Sequence, residues 1–162
     1  MGEPVQTMGM VTYRPMTDAD VPLLVAWHAD PEVSRYWDGD VFTAEDMRGR
    51  LRRPDVHMWV VEENGTPVGY LQSWWEEDEP LRGGLDGFLV PSARGRGVMP
   101  AAARALAERL LDGGWAHVTV DPYAWNEQGI RGWRNAGFVE VSRHPPDDEH
   151  GAEWVLMRFA GV

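Results

Sequence analysis

"SARGRGVMP" (residues 92–100) stands between an apolar run, "FLV" (88–90), and an alanine-rich run, "AAARALAERLL" (101–111). The segment reads as a strand that stops near Val90, a turn carrying Arg94-Gly95-Arg96-Gly97, and a helix that starts near Gly97. Such a junction leaves backbone N–H groups without partners at the positive end of the helix dipole. Glycines let the backbone visit positive φ and let an anion come close. Arg94 and Arg96 add charge that suits phosphate oxygens, so a diphosphate is the natural occupant. A Walker loop would need Gly-x-x-x-x-Gly-Lys-Ser/Thr, which is absent. A dinucleotide fingerprint would need a third glycine and a place early in the first βαβ unit, and this turn has neither. The plain alternative is a Gly/Arg surface turn with no ligand.

Working outward, "MVTYRPM" (10–16) alternates as a strand, and "TDADVPLLVAWHAD" follows as a helix with Val21, Leu24, Val25 and His28 on one face. Pro22 favours Asp20 over Thr17 as its N-cap. "PEVSRYWDGD" (31–40) is too rich in turn formers to be regular, and "TAEDMRGRLRR" (43–53) reads as a short helix capped by Thr43. "VHMWVVEENGTPVGYLQSWW" (56–75) is a hairpin about Asn64-Gly65. "EEDEPLRGG" (76–84) reads as a charged loop and "LDGFLV" (85–90) as a strand. After the alanine-rich helix come a strand at 116–120, a turn "DPYAWN", a helix at 127–136, and strands at 138–144 and 152–159. The order β-α-α-β-β-β-α-β-α-β-β predicts an α/β fold, with antiparallel pairs early and late and a parallel βαβ unit in the middle.

The chain of 162 residues is the size of one ordinary domain, expected over 10–162 after a flexible tail at 1–9. It has no cysteine, which excludes disulfides, a thiolate nucleophile and cysteine-held zinc. The five histidines show no metal-ligand spacing, and His28 and His117 read as structural. No run is long enough to span a membrane and the first residues lack signal-peptide character, so a cytoplasmic location is expected. The net charge of −11 argues against nucleic acid and suits a cationic partner, although it also serves solubility. The nine tryptophans exceed what a core needs, and one beside acids would make a wall for a cation.

"RGRGVM" (94–99) resembles the Arg/Gln-x-x-Gly-x-Gly/Ala signature of the GCN5-related N-acetyltransferases, known as GNAT. The similarity runs through the opening strand and helices, the hairpin, "FLVPSARGRG" and "DPYAWNEQGIRGWRNAGF". It implies the GNAT fold: a mixed central sheet of seven strands with four helices in this chain's element order, splayed between the fourth and fifth strands. It also implies acetyl-CoA as cosubstrate and no metal. The backbone of Phe88, Leu89 and Val90 would pair with the pantetheine arm. Amides of Arg94, Gly95, Arg96, Gly97, Val98 and Met99 would hold the pyrophosphate. Asn126 and Trp133 would lie beside the cofactor, and Asn126 also reads as a helix N-cap. Met99 stands where glycine or alanine is usual. Trp133 stands where many relatives carry a tyrosine that protonates the leaving thiolate. The resemblance then leaves that proton to Tyr123 or to water, or the thiolate leaves unprotonated, stabilised by the site.

Acetylating an amine requires that it lose a proton and be aimed at the thioester, work that carboxylates do well. Asp86, two residues before Phe88, is costly to bury without a partner. Asp121 ends the next strand, where Asp-Pro also commonly starts a turn. "WWEEDE" supplies Trp74, Trp75, Glu76, Glu77, Asp78 and Glu79, and "RYWDGD" supplies Tyr36, Trp37 and Asp38. "GYLQSWWEEDE", "GLDGFLV" and "VDPYAWN" are similar to blocks of the aminoglycoside 6′-N-acetyltransferases. That likeness implies that Asp86 contacts the acceptor amine, that Asp121 contacts the aminoglycoside, and that the other residues form the substrate wall. A protein N-terminus as acceptor and a CoA-binding module without catalysis are the rival expectations. The expected assembly is a monomer or a homodimer.

Overall fold

The computed structural model describes residues 9–37, 42–76 and 82–161. It places β1 (Val11–Pro15), α1 (Val21–His28), α2 (Pro31–Ser34), α3 (Ala44–Leu51), β2 (Val56–Glu63), β3 (Thr66–Glu76), β4 (Arg82–Leu89), α4 (Val98–Asp112), β5 (His117–Val120), α5 (Glu127–Ala136), β6 (Phe138–His144) and β7 (Trp154–Phe159) along the chain. The seven strands form one sheet in the order β1-β2-β3-β4-β5-β7-β6. All pairs are antiparallel except β4 with β5, which is parallel. The α/β class and the parallel unit in mid-chain are as expected. The "PEVS" segment is a fifth helix rather than irregular chain, because Asp30 caps it through the Glu32 amide and Pro31 presets its first turn. Strand β4 begins earlier than its apolar run, since β3 continues to Glu76 and carries the pairing to Arg82.

Strand alternation sends the two sheet faces to two cores. Val60, Tyr70 and Phe88 face Val21, Leu24, Val33 and Met47 from α1 to α3. Val61, Leu71 and Leu85 face α4 and α5. Helix α4 presents Ala102, Ala103, Leu106 and Ala107, so its axis lies close to the strands, and burying Leu106 stabilises the fold by about 1.5–3 kcal/mol. The β2–β3 turn has Asn64 at φ 52° and Gly65 at φ 80°, which is why Asn-Gly occurs there.

Asp20 does not cap α1 with its side chain. Instead it receives both ends of the Arg14 guanidinium, at 2.8 Å each, and the Thr17 amide at 2.9 Å. This fork ties β1 to the turn before α1 and holds the Asp20 carboxyl below the usual aspartate range. Asp20→Ala strands the Thr17 amide and leaves the Arg14 guanidinium only its weaker contacts to Glu62 and the Pro15 carbonyl, so unfolding free energy is expected to fall by about 1–3 kcal/mol in urea titrations near neutrality. The depressed pKa fixes the sign with pH. The contribution is whole above the unfolded pKa of about 4 and disappears as pH drops through the native value, so wild type and variant converge in acid.

The parallel pairing of β4 with β5 covers only Arg82 to Gly84 against His117 to Thr119. Beyond Gly84 the strands part, and Leu85 to Leu89 pair with β3 alone. That opening positions everything described next. Among the described residues no helix is long and apolar enough to cross a membrane.

Candidate active site

Two cavities meet in the opening. The first, about 270 Å³, is lined by Tyr36, Trp37, Arg50, Gln72, Asp86, Asp121, Tyr123, Trp125 and His150. The second, about 410 Å³, runs along Gly87, Phe88 and Leu89 to Arg94, Gly95, Gly97, Val98 and Met99. Tyr36, Gly87, Asn126 and Trp133 border both and mark the junction.

In the second cavity the strand edge comes first. Val90 donates to the Val68 carbonyl on β3, so by alternation Phe88 also turns its peptide groups to β3 while Gly87 and Leu89 face the opening. Of the expected strand residues, then, Leu89 presents backbone to the cavity, and Phe88 and Val90 do not turn theirs toward it. Gly95 and Gly97 adopt φ of +84° and +80°, the left-handed conformations the turn requires. Gly97 is the N-cap of α4 and offers no side chain to its amides. Among the described residues nothing accepts a hydrogen bond from the N–H groups of Gly95 to Met99. The arginines are placed differently from the expectation that both serve phosphate. Arg94 spends its donors on the Leu89 carbonyl (3.1 Å) and the Glu32 carbonyl (2.8 Å), bracing the turn against β4 and α2. Arg96 is paired with Glu63 and bonded to the Ser92 carbonyl, and its side chain does not line the cavity. The backbone amides of Gly95 to Met99 are therefore the free donors of this wall, which Arg94 also lines. The cavity's dimensions and free donors fit the arm and diphosphate of a CoA thioester. Asn126 caps α5 through the Gly129 amide at 2.9 Å, as expected, and it also borders the cavity.

In the first cavity Asp86 lies opposite Gln72 across β3–β4. Gln72 Oε1 accepts from Tyr70 (2.7 Å) and from Arg50 (2.9 Å). The Trp74 indole N–H donates to Asp86, and it reaches because Gly84 lets the ring lie flat: a Cβ there would come 2.5 Å from the ring. Burial first, and then the charge of Asp121, push the Asp86 carboxyl up to about 7, while Arg50 and His150 pull against them. Asp121 is also raised by burial, with its His150 hydrogen bond opposing. Trp75 points to the other face of β3 by strand alternation and packs on His57 at 4.9 Å, away from the cavity. Trp74 does not line the cavity, and it meets the site at Asp86. Asp38, Glu77, Asp78 and Glu79 lie outside the described residues, and of Glu76 only the backbone, at the end of β3, is described.

Sequence reasoning missed Gly87, Arg50, Gln72, Trp125 and His150. A glycine inside a strand is a known mark of close approach, so Gly87 was legible. Arg50 and Gln72 carry no local signal, since only the packing of α3 over β3 brings them to Asp86.

A sheet opened beside a glycine-turn amide cradle, with paired carboxylates across the opening, defines an acyl-CoA-dependent transferase. The chain belongs to the GNAT acetyltransferase family, whose sequence profile, described as an acetyltransferase (GNAT) domain, matches residues 11–139. It is 31% identical over 147 residues to the aminoglycoside N(6′)-acetyltransferase type 1 of Klebsiella pneumoniae, spanning 79% of this chain and 73% of that one. The Serratia marcescens enzyme of the same name matches equally. The structure of AAC(6′)-Ib with paromomycin and acetyl-CoA superposes with a TM-score of 0.79 at 30% identity over 92% of each chain. The same enzyme with coenzyme A and kanamycin gives 0.78 at 29% identity over 92% of this chain and 94% of that chain.

Proposed function

We propose that the chain moves the acetyl group of acetyl-CoA directly to the 6′-amine of an aminoglycoside. The observation that carries this reading is the pair Asp86 and Asp121, facing the junction at which the amide-lined cavity opens. Relatives with that named activity, at 31% identity, support the acceptor class.

In this reading the pyrophosphate sits on the free amides of Gly95 to Met99, and the pantetheine arm pairs with Gly87 and Leu89 in place of the departed β5. Acetyl-CoA supplies the activated acyl group. Asp121 holds the cationic sugar, and Asp86 receives the ammonium proton. A carboxyl titrating near 7 is half-ionised at neutrality, which matches a base to the working pH. The freed amine attacks the thioester carbon at the junction. Trp133 borders that point and is no proton donor, so the leaving thiolate takes its proton from water or a phenol. Of the two phenols, Tyr123 lines only the acceptor cavity, whereas Tyr36 borders both.

The test is thiol release from acetyl-CoA with a panel of acceptors. Turnover is expected with kanamycin and lost with an analogue whose 6′ position carries a hydroxyl group. Turnover confined to peptides with free N-termini would transfer the assignment to protein acetylation. CoA binding with no acceptor at all would leave a module without catalysis.

A further inference from the structure

His150 lies in the β6–β7 connection and is not among the expected site residues, yet its ring lines the acceptor cavity and is held at both nitrogens. Its Nε2 is 2.7 Å from Asp121 Oδ2 and its Nδ1 is 2.9 Å from Asp147 Oδ1. An ionised carboxylate only accepts, so where Asp121 and Asp147 are both ionised the ring donates from both nitrogens and is an imidazolium. Asp147 is fixed in turn. Its Oδ1 takes the amides of Glu149 (2.9 Å) and His150 (2.8 Å), and its Oδ2 takes the Trp154 indole N–H (3.0 Å). The His150 ring stacks on Trp154 at 4.2 Å and 12°, and Tyr123 meets it edge-on. The far face of Trp154 carries His144, stacked at 4.3 Å. Burial opposes a charge on His150, but the two carboxylates prevail and its pKa is raised.

We propose that His150 is a positioning residue: clamped by Asp147, its imidazolium holds Asp121 ionised, with its other oxygen turned to the acceptor, so that Asp86 alone carries the mobile proton. The proposal rests on the acceptor reading given above. Two carboxylates sharing a low-dielectric cavity otherwise compete for one proton, as like charges do. The titratable and charged groups around the ring are Asp121 at the end of β5, Asp147 and Glu149 on its own loop, Tyr123 after β5, and, further off, Asp86 on β4 with Arg50 from α3. Of these only His150 and Arg50 oppose the negative charge.

The test uses the full chain and two variants, His150→Gln and Asp147→Asn. In free protein, ring NMR titration of His150 is expected to show a midpoint above the ordinary histidine value, falling when Asp147→Asn removes one charge. This readout needs no acceptor, so it stands or falls apart from the aminoglycoside assignment. In turnover, His150→Gln is expected to raise the acidic limb of kcat/KM by about one pH unit, with acceptor KM up roughly tenfold and acetyl-CoA KM unchanged. Asp147 does not line the cavity, so Asp147→Asn should move the limb the same way by less. A neutral His150 at pH 6, or a loss of rate equal at every pH, would overturn the proposal. If His150→Gln fails to fold, the NMR midpoint and the Asp147→Asn limb decide it.

Discussion

Asp86→Asn is expected to lower kcat for acetyl transfer by about 10²–10⁴-fold while CoA binding is kept. Asparagine matches aspartate in shape and still accepts the Trp74 indole N–H, so the cavity wall is retained. What it loses is a carboxyl whose pKa lies near neutrality, at about 7, and with it the site that takes the ammonium proton. In the wild type kcat/KM should therefore climb through about pH 7 from the acid side, a limb absent from the residual activity of the variant. Stability moves the other way. Asp86 titrates higher in the folded than in the unfolded chain, so between about pH 4 and 7 unfolding releases its proton and stability falls as pH rises. The neutral asparagine removes that penalty, and the variant should melt no lower than the wild type at pH 8. Thermal melts beside steady-state rates separate the two effects. Turnover at pH 8 within threefold of wild type would remove Asp86 from the mechanism.

The fold was legible because its signals are local. Asn64-Gly65 marks the hairpin, Gly113 and Gly137 stop helices α4 and α5, and the glycine turn before α4 marks the parallel unit. Asp86 and Asp121 were legible for a related reason: a carboxylate at the edge of an apolar strand needs a partner or a task. What escaped was set by tertiary packing. Pro22 pointed to Asp20 as the cap of α1, and Asp20 holds that position, but its side chain turns to Arg14, six residues back on β1. Arg96 sits in the turn as a phosphate ligand would, yet Glu63 at the end of β2 claims it. His150 stands in "PPDDEHG", the join between β6 and β7, and only the fold of that segment against Trp154 brings the ring to Asp121.

The same distinction between backbone and side chain decides the second large effect. If the anion cradle were built by arginine, Arg96→Ala would weaken CoA binding most. In the proposed function the binding falls to amides, because Arg96 is already paired with Glu63 and the N–H groups of Gly95 to Met99 are free among the described residues. The double variant Gly95→Val, Gly97→Val is therefore expected to be the more damaging. Both positions sit at φ above +80°, or at it, in open space, so the new side chains meet no neighbour and the cost is conformational. A residue with a Cβ pays about 1–2 kcal/mol in the left-handed region, and more if β-branched, so the turn relaxes and the amides no longer converge. CoA affinity measured by calorimetry should fall at least about tenfold, the size of effect that 1.4 kcal/mol produces. The acceptor cavity is built from other elements, so the Asp86 limb of the pH profile should stay in place at saturating acetyl-CoA. A larger loss of CoA affinity in Arg96→Ala than in the glycine variant would show that the cradle depends on charge from the side chain and not on the amides.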